Sequence, residues 1–69
     1  MEVNGHIGEA AGKVWALLSE SGPLTIAQMR RKLNESSDLL NLALGWLARE
    51  DKVIVTRERS SLRVQLRSS

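Results

Sequence analysis

The sequence has no cysteine, no phenylalanine and no tyrosine, and one histidine and one proline among its 69 residues. Without cysteine there is no disulfide framework and no thiolate chemistry, which fits a reducing compartment. His6 has neither a cysteine nor a second imidazole to share a metal with, and transition-metal sites need several ligands. No metal or other cofactor is therefore expected. No apolar run approaches the roughly 20 residues of a membrane span. The N-terminus lacks a basic stretch followed by an apolar one, so no signal peptide is evident and a cytoplasmic chain with no membrane role is expected. Acidic residues are scattered among opposite charges, not paired on one face as acid–base work requires. There is no glycine-rich phosphate loop either, and no small-molecule substrate is evident. The reading is not an enzyme.

What remains is an aliphatic protein with two tryptophans. At 42% hydrophobic and 26% charged the chain sits in the globular range and outside the disordered one. Its length predicts one domain, residues 1–69, and a chain of this size buries only about 60% of its unfolded surface. The net charge is +2, unevenly spread. Residues 1–25 set Lys13 against Glu2, Glu9 and Glu20, a net of −2. Residues 26–50 come to +1, and residues 51–69, with Lys52, Arg57, Arg59, Arg63 and Arg67 against Asp51 and Glu58, come to +3. A positive C-terminal third points mildly to an anionic partner, although such clusters are often plain solvated surface.

The periodicity predicts a first helix from about residue 5 to 20, with Asn4 as N-cap. Ile7, Ala10, Ala11, Val14, Trp15, Leu17 and Leu18 fall on one arc at 100° per residue. Gly22 suits the left-handed position past its end and Pro23 prevents its resumption. Leu24 fits a very short extended piece. Thr25 and Gln28 form a capping box for a second helix that runs to about Leu33. Asn34, Ser36 and Ser37 favour a turn, and a third helix follows to about Glu50, burying Leu39, Leu40, Ala43, Leu44 and Leu47. Two helices joined so tightly make a helix-turn-helix pattern. After Lys52 the period becomes two: "VIVTRE" and "LRVQL", separated by "RSS", predict a hairpin. Val53, Val55, Leu62, Val64 and Leu66 supply its apolar face, with Arg63, Gln65 and Arg67 opposite. The fold expected is α+β, a winged helix, with a core of Ile7, Val14, Leu17, Leu18, Ile26, Met29, Leu33, Leu40, Leu44, Leu47, Val55 and Val64.

In that fold the third helix enters the major groove and the wing touches flanking backbone, so double-stranded DNA is the first partner to consider. The third helix exposes Ser37, Asp38, Asn41, Gly45, Ala48 and Arg49. Asn41 can pair with adenine, and Ser37 and Arg49 can reach phosphates. Asp38 opposes this near the helix N-terminus, where it also stabilises its own helix. No Arg or Lys lies in the first two turns, so base readout is weakly supported. Arg57, Arg59 and Arg63, with Lys52, suit backbone contact, which is salt-sensitive and sequence-tolerant. Charges on a two-stranded edge also serve simply to block edge-to-edge aggregation.

A second surface competes for attention. Leu42 and Trp46 lie one turn apart at the margin of the third helix, and Trp15 sits at the margin of the first. Gly8, Gly12 and Ala16 line the first helix, a spacing that in soluble proteins usually marks tight packing within the domain. Either the indoles fold over the edges of a small core, or Trp15, Leu42 and Trp46 meet a partner, most simply in a symmetric homodimer.

At "IGEAAGKVW" and "LALGWLAREDKVIV" the chain resembles a family of short bacterial proteins known as a winged helix-turn-helix domain of unknown function. The resemblance runs from Ile7 to Leu66 and rests on the Gly8/Gly12/Trp15 and Leu44/Gly45/Trp46/Leu47 clusters. It implies the fold and a cytoplasmic bacterial setting, with no activity to transfer. More distantly the layout is similar to the winged helices of bacterial transcription regulators, which implies DNA binding and regulation. The chain departs from those at Asp38 and Gly45 and in the missing early basic residues. The leading expectation is a DNA-associated regulatory protein held through phosphates. The rival is a protein-interaction or homodimerisation module that does not bind DNA.

Overall fold

A computed structural model describes residues 2–67. The elements run α1 (Asn4–Ser21), β1 (Leu24–Thr25), α2 (Ile26–Leu33), α3 (Ser37–Arg49), β2 (Val53–Glu58) and β3 (Ser61–Leu66). The three strands form one antiparallel sheet in the order β1-β3-β2. This is the α+β winged-helix layout expected from the periodicity.

The capping chemistry accounts for most of the boundaries. Thr25 Oγ1 accepts from the Gln28 amide and Gln28 Oε1 accepts from the Thr25 amide, at 3.2 and 2.9 Å. Two of the four orphan donors at the start of α2 are thereby satisfied. Ser36 caps α3, its Oγ accepting from Leu39 N at 3.2 Å. Gly22 ends α1 with φ +77°, its amide donating to Leu18 O. Asn4 is not the cap of α1. That position is Val3, which offers no side-chain acceptor, and Asn4 is already helical.

The junction "ALGWLAREDKVIV" closes without a glycine. Asp51 takes the left-handed conformation at φ 62°. Its amide donates to Ala48 O, and the Lys52 amide donates to Leu47 O. This pair of bonds is the Schellman pattern, with aspartate in the glycine position; a short polar side chain tolerates that conformation better than most. Arg67 Nε then meets Asp51 Oδ1 at 2.9 Å, and the Arg67 amide donates to Lys52 O. The end of β3 is thus fastened to the start of the wing.

The core joins all layers: Val14 and Leu18 of α1, Met29 of α2, Leu40, Leu44 and Leu47 of α3, Leu24 of β1, and Val53 and Val64 of the sheet. Ala10, Ala11 and Ala43 are also buried, and such small side chains let α1 and α3 pack closely along their length. Ile7, Leu17, Ile26 and Leu33 are only partly buried. Val55 is not a core residue. It pairs with buried Val64, but β2 is an edge strand and Val55 is left 39% exposed. Among the described residues no buried side-chain polar atom lacks a partner, so nothing polar in the interior awaits a ligand.

Candidate nucleic-acid interface

The helix-turn-helix and the wing converge on one groove. A cavity of about 350 Å³ is lined by Ile26, Ala27 and Arg30 of α2, Ser37, Leu40 and Asn41 of α3, and Ser60, Ser61 and Leu62 of the wing. Its floor is apolar and its rim polar. Arg30 Nη1 donates to Ser37 Oγ at 2.9 Å, which fixes a guanidinium beside the start of α3. Ser36 takes the Leu39 amide, and the two amides ahead of it, those of Ser37 and Asp38, belong to the unpaired first turn that attracts anions. Asp38 is the acid of that turn.

The wing arginines do not form one patch. Cross-strand partners share a face of a sheet, and Arg57 pairs with Leu62 while Arg63 pairs with Thr56. Leu62 lines the groove, so Arg57 shares the groove side of the wing. Arg63 is on the opposite side, and its Nε is held by Glu58 Oε1 at 2.9 Å. Arg59 sits at the tip, in the two-residue turn between the strands, with φ 55°. Arg49 ends α3, at the far end from Ser37. Lys52 lies at the α3–β2 junction and lines a different cleft, together with Trp15 and Trp46. Of the seven expected contact residues, then, Ser37 and Asn41 line the groove, Arg57 and Arg59 flank it, and Lys52, Arg49 and Arg63 lie elsewhere.

Arg30 is the residue that sequence reasoning missed. It reads as one of three solvated charges in "RRK". Its one distinguishing signal is the spacing to Ile26, four residues back, which puts the two on the same row of α2.

The two flanks of α3 differ in chemistry. Asn41 and Ser37 face the wing, whereas Leu42 and Trp46, 49% and 48% exposed, lie on the other side toward α1, where Trp15 is 50% exposed. Among the described residues there is no cluster of His, Cys, Asp or Glu able to hold a metal ion, and no helix is long and apolar enough to cross a membrane.

Comparison with known proteins agrees with the fold. The uncharacterized protein MJ1608 of Methanocaldococcus jannaschii is 44% identical over 57 residues, spanning 78% of this chain and 80% of the relative. The solution NMR structure of protein BT2368 from Bacteroides thetaiotaomicron superposes with a TM-score of 0.77 at 40% identity, covering 87% of this chain and 73% of that one. Neither name states an activity. The model of the family described as "Winged helix-turn-helix domain (DUF2582)" matches residues 1–66, and the chain therefore belongs to that winged helix-turn-helix family.

Proposed function

We propose that this protein binds double-stranded DNA, chiefly through the phosphate backbone, in a regulatory role. The observation that carries the reading is the groove in which Arg30, Ser37 and Asn41 face the wing turn. Arg30, Arg57 and Arg59 supply its positive charge, and the first-turn amides of α3 supply neutral donors to the same phosphate. Asn41 is the side chain best placed to touch a base edge. Asp38 and the absence of any early cation on α3 argue for tolerant rather than sequence-specific binding. Lys52, Arg49 and Arg63 take a secondary place, as contacts to more distant phosphates.

The test is an amide NMR titration with a mixed-sequence duplex at low salt, repeated at moderate salt. Shifts at Arg30, Ser37, Asn41 and the Arg57–Ser61 segment that vanish with added salt are the expected result, because phosphate contacts release counterions. Silence at low salt would retire the DNA reading. The alternative is a protein-interaction or homodimerisation module that does not bind DNA, and the observation favouring it is the exposure of Trp15, Leu42 and Trp46.

A further inference from the structure

We propose that the α1/α3 face seats a second copy of this chain, in a two-fold pairing where the indoles of one molecule enter a glycine-floored recess of the other. The inference does not rest on the groove that carries the DNA reading, since it uses the flank of α3 that faces away from the wing; Lys52 alone, a secondary DNA contact, also borders this face.

The glycines on α1 have no explanation inside the molecule. A Cβ built on Gly8 or Gly12 meets no heavy atom within 4 Å, so the expectation that these residues allow tight internal packing is overturned. Both lie inside a helix, where glycine is among the poorest formers, so they weaken α1 for no internal benefit. What they do is leave room. Gly8, Gly12, Trp15, Trp46 and Lys52 line a cleft of about 280 Å³, and Gly8 and Trp46 border a second of about 360 Å³ with Asn4 and Ile7. Both are open to solvent, and the missing side chains at Gly8 and Gly12 leave surface relief against which a projecting ring can lie.

Two features select a second copy as the occupant. The face carries both projecting rings and the recesses that fit them, which is the self-complementarity a two-fold contact needs. The area also fits a small dimer. Trp15, Trp46 and Leu42, each about half exposed, together offer on the order of 300 Å² of apolar surface. A modest interface of about 600 Å² per partner, near 60% apolar, needs about 350 Å² from each side.

Sedimentation equilibrium on the full chain, from ~10 µM to ~1 mM, covers the range in which an interface of this size dissociates. Dimer formation is expected for the native protein. Gly12→Leu is expected to weaken it at least ~10-fold by filling the recess. Because leucine is the better helix former, circular dichroism should keep its helical signal and the melting temperature should not fall. A chain that stays monomeric throughout, or a dimer indifferent to Gly12→Leu, would overturn the proposal.

Discussion

Gly45 stands in the interior of α3 with ordinary right-handed backbone, and a Cβ built there meets nothing within 4 Å. Gly45→Ala therefore adds a methyl with no clash to relieve and no packing to gain. Its effect reduces to helix propensity, which acts by narrowing the unfolded chain's conformations, and favours alanine by about 0.8–1.0 kcal/mol. In a chain of this length about 1 kcal/mol raises the melting temperature by roughly 4–8 °C. With a urea slope near 1 kcal/mol per molar for a protein this small, the midpoint moves up by about 1 M at unchanged slope. Equilibrium urea unfolding followed by tryptophan fluorescence measures both quantities. A midpoint that stays put or falls, at constant slope, refutes the argument, because it requires either a neighbour over Gly45 or a backbone that only glycine adopts. The same variant separates two modes of DNA binding. Gly45 is not in the groove beside the wing, so groove binding predicts unchanged affinity. Insertion of the middle of α3 into a major groove predicts a loss.

Other outcomes follow from the same physical grounds. Met29 is fully buried among the helices, so Met29→Ala should cost about 2–5 kcal/mol, read as loss of a cooperative thermal transition near ambient temperature. Asp51 holds a left-handed conformation, so Asp51→Gly should be close to neutral by thermal melting, whereas Asp51→Val should lower stability by about 1–3 kcal/mol. For DNA, Arg30→Ala combined with Arg57→Ala should make the salt slope of binding shallower by about 2, near 0.9 for each phosphate left without its cation. Arg63→Ala should leave that slope nearly unchanged; an equal effect from Arg63 would show that the outer side of the wing, not the groove, meets the backbone.

The elements and their order were legible in the sequence because they rest on local chemistry. The arc of Val14, Leu18 and their neighbours, the Thr25–Gln28 box, the serine turn before α3 and the switch to a period of two at Val53 each act within a few residues. The start of α1 and the end of α3 were harder for the opposite reason. Val3 offers no side-chain acceptor to read, and Asp51 occupies a position where glycine is the usual sign. The functional surfaces depended on distance in space. Alternation puts Arg57 and Arg63 on opposite sides of the wing, but only the strand register and the placement of Leu62 say which side faces α2 and α3. Val55 shares the inward phase with Val64, yet it lies on the edge strand and stays exposed, which alternation alone does not say. Arg30 joins Ser37 because α2 and α3 are packed at one angle and no other. The open space over Gly8 and Gly12 is likewise a property of what does not pack there. The sequence alone determined which elements form and which faces they bury, since those follow from periodicity and capping. Which charges share a groove and which apolar side chains remain uncovered was decided by tertiary packing, which brings together residues with no local signal of their meeting.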